Sequence, residues 1–233
     1  MTEDTAIKEN LARVRQRIRT AALACGRSPE GIRLIAVSKS QSAQTVARGI
    51  DAGITDLGEN YIQEAREKIA VLQARPVTWH FIGHLQSNKA RYAAGLFDLI
   101  HCLDSVKLAR ELDKYAAGSG IVQKVLIQVN IGDEATKSGV PAGEAADLAA
   151  AVSSFKHISV RGLMALPPVF DDPEQARPCF AAVRKLAEEI RSRRIPGIRM
   201  DELSMGMSGD FEAAIAEGAT LVRIGTALFG ERP

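Results

Sequence analysis

The sequence predicts an α/β fold: a single (β/α)8 TIM barrel with an extra N-terminal helix. Three observations predict it. Short apolar runs rich in Val, Ile, Leu and Phe recur eight times between loop signals, as parallel strands covered on both faces require. Helical patterns separate them, so strand and helix alternate throughout. The 233 residues approach the roughly 250 typical of such a barrel. No linker or composition shift divides residues 1–233, so one domain is expected.

A helix over Ala6 to Ala24 precedes the first strand, "LIAVS" (34–38). Gln44 to Ala52 forms a short helix before the second strand, "ITDLG" (54–58). Tyr61 to Leu72 follows Asn60, which suits a helix cap. "WHFIG" (79–83) is the third strand, Ser87 to Ala94 a helix, and "FDLIHCL" (97–103) the fourth strand. Val106 to Ala116 follows Asp104-Ser105 and stops near Gly118, a C-terminal signal. The fifth strand is "KVLIQVN" (124–130), followed by an alanine-rich helix from Gly143 to Val152. "ISVRGLM" (158–164) is the sixth strand. Pro173 to Arg193 is helical after Asp172, and Pro178 sets its first turn apart. "DELSM" (201–205), short and twice acidic, is the seventh strand. Phe211 to Ala216 is a short helix and "TLVRIG" (220–225) the eighth strand. The usual last helix is missing, and the N-terminal helix is expected to cover the gap between strands eight and one.

Composition excludes several classes. Thirty basic against 28 acidic residues leave a net charge of +2, which provides no strong field for nucleic acid. Arg13, Arg15, Arg17 and Arg19, and Arg191, Arg193 and Arg194, fall on solvated helix faces. Cys25, Cys102 and Cys179 are odd in number and widely spaced, unlike a disulfide framework or zinc knuckle. The start "MTEDTAIKEN" is acidic and polar, unlike a secretory signal. No apolar run reaches the roughly 18 residues of a membrane helix. A cytoplasmic protein that binds neither membrane nor nucleic acid is expected. His80 and His84 do not make the H-E-x-x-H metal pattern, and no P-loop is present. "GMSGD" departs from G-x-S-x-G at Asp210.

In barrels of this kind the active site lies at the C-terminal ends of the strands. There the sequence places Lys39, then Gly58-Glu59-Asn60, His84, Gln86 and Asn88, Asp104 and Ser105, and Asn130 with Lys137-Ser138-Gly139. Met164 and Pro167-Pro168 follow, then Ser204 to Asp210, and Arg223 with Gly225-Thr226. "SMGMSGDFEAAIAEG" leads a glycine- and serine-rich loop into a helix, which suits an anion, although Ser208 or Asp210 equally suits a plain cap. "RIGT" supplies a second small loop beside it. Loops after strands seven and eight hold phosphate in many barrels. A lysine partly removed from water beside Arg223 or Lys137 loses its proton more readily and can form a Schiff base with an aldehyde. A phosphate and an aldehyde on one ligand point to pyridoxal 5′-phosphate (PLP). That is an inference from placement, not from composition.

At these residues the chain resembles the pyridoxal phosphate homeostasis family nearly end to end. The carriers are "LIAVSKSQ", "LGENYIQEAREKI", "WHFIGHLQSNKAR", "VNIGDEATKSG", "RGLMALPP" and "ELSMGMSGDFEAAIAEGATLVRIGTALFG". The resemblance implies a barrel like the N-terminal domain of bacterial alanine racemases, with PLP as an internal aldimine on Lys39. It implies that Ser208, Gly209, Gly225 and Thr226 hold the phosphate, that Arg223 faces the pyridine nitrogen, and that Asn60 and Met164 line the ring. Lys137 occupies a position similar to an arginine near the ring hydroxyl.

A fixed guanidinium disfavours a protonated ring nitrogen, because two like charges would meet. An unprotonated ring stabilises a carbanion poorly. Racemisation also needs a second acid–base group on the opposite face. In the similar racemases that group is a tyrosine supplied by a second domain and a neighbouring subunit. Here the tyrosines are Tyr61, Tyr92 and Tyr115, in or near helices, and no second domain is expected. The reading is therefore a non-catalytic PLP carrier or buffer in vitamin B6 and amino-acid balance. It is expected to be a monomer, with PLP-accepting apo-enzymes as candidate partners. The alternatives are a weak PLP-dependent racemase, or a barrel enzyme that forms a substrate Schiff base at Lys39 with a phosphorylated sugar.

Overall fold

Each of the eight apolar runs forms a strand in the computed structural model, which describes residues 3–132 and 138–230. In chain order these are β1 (Arg33–Val37), β2 (Asp56–Glu59), β3 (Thr78–Phe81), β4 (Leu99–Leu103) and β5 (Gln123–Asn130). Then follow β7 (Ile158–Ala165), β8 (Glu202–Ser204) and β9 (Leu221–Ile224). A two-residue strand that sequence reading did not anticipate, β6 (Val140–Pro141), pairs beside the end of β5. All the pairings are parallel, in the order β4-β3-β2-β1-β9-β8-β7-β5, and β4 pairs with β5 to close the ring. The protein is a closed (β/α)8 barrel.

The surrounding helices are α1 (Glu3–Ala24), α2 (Ala43–Asp51), α3 (Ile62–Leu72), α4 (Ala90–Ala93) and α5 (Val106–Gly118). The rest are α6 (Ala145–Val152), α7 (Arg177–Ser192), α8 (Phe211–Ala216) and α9 (Thr226–Phe229). Ile7, Leu11, Val14, Ile18 and Ala22 put one buried stripe on α1, the spacing of a core-facing helix. That stripe packs α1 against α2, α8 and α9, across the seam between β9 and β1. Asn10 Nδ2 donates to Leu228 O at 3.0 Å, and Arg17 pairs with Glu212 at 2.6 Å. The single-turn α9 stands where no last helix was expected.

Caps and breakers explain the remaining boundaries. The Ser42 and Ser105 side chains accept from Thr45 N and Leu108 N and start α2 and α5. Pro173–Ala176 is a separate 3-10 turn, and Pro178 sits in the first turn of α7, where proline needs no amide hydrogen. One expectation is corrected. Asn60 is not the cap of α3; Tyr61 holds that position and makes no side-chain cap bond. α5 does end at Gly118, and the chain turns two residues on at Gly120, whose φ is +67°.

Two apolar layers hold the barrel. The larger lies between strands and helices. A small plug of Ile35, Leu99, Leu126, Met164 and Leu221 fills the interior, with Leu166 against it. Gly162 lets β7 and β8 meet: a Cβ there would lie 1.8 Å from Glu202 O, and both partners are backbone. Gly162→Ala is therefore expected to lower unfolding stability by at least about 1–3 kcal/mol, the usual cost of forcing atoms into a packed core. Urea denaturation measures it.

Candidate functional site

At the C-terminal ends of the strands lies a cavity of about 360 Å³. It brings together Lys39, Asn60, Ser208, Gly209, Arg223, Gly225 and Thr226, with Val37, Ile82, Leu166 and Met207 as apolar walls. Met164 is not among the lining residues. It is 1% exposed in the interior plug, and Leu166 stands between that plug and the cavity. Lys137 lies outside the described residues.

Lys39 is half-buried in a tight turn after β1. Ser38 Oγ donates to Glu59 Oε1 at 2.6 Å. The Lys68 ammonium of α3 donates to Glu59 Oε1 at 2.8 Å, to Glu64 Oε1 at 2.6 Å and to Ser38 O at 2.5 Å. Ser40 N donates to Glu64 Oε1 at 2.5 Å. Ser40 has a φ of +63°, a strained value for a residue with a Cβ. Bonds to the residues on either side thus fix the backbone that carries Lys39. Glu59 is fully buried, and burial raises its carboxyl above the usual range despite Lys68 and Ser38.

The loop after β8 is drawn tight by Gly206, with a φ of +90°. A Cβ there would lie 2.6 Å from Ala214 Cβ of α8. Arg223 N donates to Gly206 O at 3.0 Å and ties this loop to β9. Asp210, at the start of α8, accepts from Met207 N at 2.6 Å. That bond closes the turn that presents Ser208 and Gly209. Thr226 opens α9, and the first amides of a helix lack partners within it.

Arg223 is 4% exposed. Its Nη1 donates to Ser204 Oγ at 2.6 Å and its Nη2 to Ala165 O at 2.9 Å. Burial pulls the guanidinium down to about 10, opposed by the Asp210 carboxylate, so it is charged at neutral pH. Among the described residues, no carboxylate, imidazole or phenol lines the cavity. The Asn60 Oδ1 is buried without a hydrogen-bond partner among the described residues, an acceptor suited to a ligand O–H. An amine, a guanidinium, two hydroxyls and two glycines within apolar walls fit a small anion that carries an aromatic ring and an aldehyde.

Some features escaped the sequence reading. The apolar walls Val37 and Ile82 lie within strand runs and were not singled out, whereas Met207 falls in the expected Ser204 to Asp210 loop. Lys68, four residues after Glu64, was not singled out and is 4% exposed. Cys25, Cys102 and Cys179 form no disulfide with one another. No group of residues suited to a metal ion occurs among the described residues, and no described helix is long and apolar enough to cross a membrane.

Comparison with known proteins places the chain. The family described as the N-terminal domain of alanine racemase matches residues 5–233. The pyridoxal phosphate homeostasis protein of Escherichia coli K12 is 47% identical over 229 residues, 97% of each chain. That of Aquifex aeolicus is 43% identical over 224 residues, 96% of this chain and 97% of the other. Among solved structures, PipY of Synechococcus elongatus with PLP bound superposes with a TM-score of 0.84 at 37% identity, covering 96% of this chain and all of PipY. An alanine racemase of Clostridium difficile shares the fold at 14% identity, with a TM-score of 0.76, covering 98% of this chain and 57% of the racemase.

Proposed function

We propose, since this chain belongs to the pyridoxal phosphate homeostasis proteins and to the alanine racemase N-terminal domain family, that its barrel mouth holds PLP on Lys39 without turnover. The observation that carries this reading is the single cavity shared by Lys39, Arg223, Ser208 and Thr226. A relative of the same fold, PipY, has been solved with PLP bound.

When bound, PLP would supply an aldehyde able to condense with an amine and a ring able to accept electrons, and Lys39 would provide that amine. The chain's own residues divide the remaining work. Ser208 and Thr226 offer hydroxyls to the phosphate, and Gly209 and Gly225 allow its close approach. Val37, Ile82 and Leu166 keep water from the ring. The Asn60 amide oxygen accepts the ring hydroxyl's proton in a hydrogen bond. Arg223 donates to the ring nitrogen and, being charged, keeps a proton off it. Racemisation requires a second proton carrier, and none of the three tyrosines borders this cavity. The geometry therefore favours a carrier over a racemase.

Borohydride reduction of the PLP-loaded protein tests the attachment. The visible absorbance should shift, and mass spectrometry should map the adduct to Lys39. An adduct found only on Lys137 overturns the assignment. Transfer of PLP to an apo-enzyme, measured against free PLP, tests the carrier role. Alanine racemisation at about 1–10³ per second, an ordinary enzymatic rate, would overturn it. Ser208→Ala should weaken PLP binding by about 0.5–3 kcal/mol, the range for one hydrogen bond to a neutral or charged partner. Equilibrium dialysis reads this, and unchanged affinity removes Ser208 from the phosphate site.

A further inference from the structure

A line of buried polar side chains crosses the barrel interior from Arg223 to the opposite end. Arg223 Nη1 donates to Ser204 Oγ at 2.6 Å. Ser204 Oγ lies 2.9 Å from His101 Nδ1. His101 Nε2 lies 3.0 Å from His80 Nδ1, and His80 Nε2 lies 3.1 Å from Asp56 Oδ1. The five residues come from five strands: β9, β8, β4, β3 and β2. His80, His101 and Ser204 are 0% exposed. Asp56, in contrast, borders a cavity of about 500 Å³ at the N-terminal ends of the strands, together with Thr55, Arg33 and residues of α1.

The hydrogens in this line can be assigned by elimination. Arginine only donates, and an ionised carboxylate only accepts. Ser204 Oγ accepts from Arg223, so its own hydrogen goes to His101 Nδ1. His101 then carries hydrogen on Nε2 and donates to His80 Nδ1. His80 in turn donates from Nε2 to Asp56. Every group is satisfied with both imidazoles neutral and in the same tautomer. Reversing the line would leave the Ser204 hydrogen without an acceptor among the described residues, an expensive state in a buried site.

The local charges agree with this direction. Burial, then the neighbouring His80 and Arg223, hold His101 well below the ordinary imidazole value. Burial opposes ionisation of Asp56, but hydrogen bonds from His80 and Thr55, with Arg33 nearby, outweigh it and keep the carboxyl below its usual range. Arg33 Nη1 is 3.8 Å from Asp56 Oδ1 and its Nη2 is 2.7 Å from Glu202 Oε1. At the other end, Asp210 is the acid that acts on Arg223.

We propose that Ser204, His101, His80 and Asp56 are positioning residues for Arg223, forming a one-way hydrogen-bond relay that presents its guanidinium to the cofactor's ring nitrogen and couples that nitrogen to the far end of the barrel. This rests on the PLP reading above. The relay explains why two histidines and a serine occupy interior positions that apolar side chains would otherwise fill. It also fixes the guanidinium from behind: Nη1 is committed to Ser204 and Nη2 to Ala165 O, which restricts how the group can turn towards the ring.

Two measurements test it. In the cofactor-free wild-type protein, nitrogen-15 spectra of the histidine rings should show His80 and His101 neutral and hydrogenated on Nε2 at neutral pH. A charged ring or an Nδ1–H tautomer overturns the relay, whether or not PLP binds. In the PLP-loaded protein, His101→Phe keeps the bulk of the ring but cuts the line. It should weaken PLP binding at least about fivefold and move the pH midpoint of the cofactor's visible absorbance. His101→Gln, which offers one acceptor and one donor, should restore most of both. A His101→Phe protein that folds and keeps the wild-type affinity and pH profile overturns the proposal. Failure of the wild type to take up PLP would instead overturn the cofactor reading and, with it, the relay's role.

Discussion

Lys68→Met is expected to lower folding stability by about 3–5 kcal/mol, the range for breaking a buried ion pair by removing one partner. Lys68 and Glu59 are 4% and 0% exposed, and Glu59 Oε2 already lacks a partner among the described residues. Without the ammonium, the carboxylate must stay charged in a dry site or take up a proton. The sign of the pH dependence follows. The folded-state value of Glu59 is raised by burial, so the native form holds its proton to higher pH than the unfolded chain does. Stability is then fully present below the ordinary carboxylate value and falls as pH rises towards the raised one. The loss in Lys68→Met should accordingly be larger at about pH 8 than at about pH 5. Glu59→Gln in the same background should recover part of it. Urea unfolding at the two pH values checks both statements, and a pH-independent loss under 1 kcal/mol, roughly that of a surface pair, would remove the pair from the core.

On the proposed attachment of PLP to Lys39, Lys39→Ala should abolish the covalent link while sparing the fold. The backbone turn is held by Ser38, Glu59, Lys68 and Glu64 through bonds that do not use the Lys39 side chain. The variant should give no borohydride-fixed adduct. Its remaining affinity comes from the phosphate and ring contacts alone, weaker by at least about a hundredfold, or roughly 2.8 kcal/mol. Absorbance titration with PLP measures the drop, and unfolding midpoints should match the wild type. A fixed adduct on the variant would transfer the attachment to another lysine.

The contrast between these two lysines shows how far sequence reading reaches. The place of Lys39 at the cavity was legible because it follows a four-residue apolar run, and strand ends are where such barrels keep their chemistry. Lys68 was not, because its burial depends on β1 and β2 lying beneath α3, and nothing in "EAREKIA" encodes that depth. The strands were readable because each buries side chains on both faces, which leaves a nearly unbroken apolar run. β6 has two residues and no pattern to read. Asn60 has a capping side chain but sits one residue too early, and its amide oxygen is turned inward without a partner among the described residues. The relay was hidden for a further reason. His101 and Ser204 are 103 residues apart, and only closure of the barrel makes them neighbours.

That separation bears on how the protein is made. Lys39 follows β1, whereas Ser208, Arg223 and Thr226 surround β9, and α1 finds its buried partners in α8 and α9. The hydrogen bond from Asn10 to Leu228 spans 218 residues. Contacts this distant in sequence carry a high loop-closure cost and form late. On a ribosome, where N-terminal segments emerge first, the early strands and α1 wait with apolar surface uncovered until β9 and α9 arrive. The cavity around Lys39 therefore exists only once the barrel has closed, and a ligand that binds only the closed form adds its binding energy to the fold.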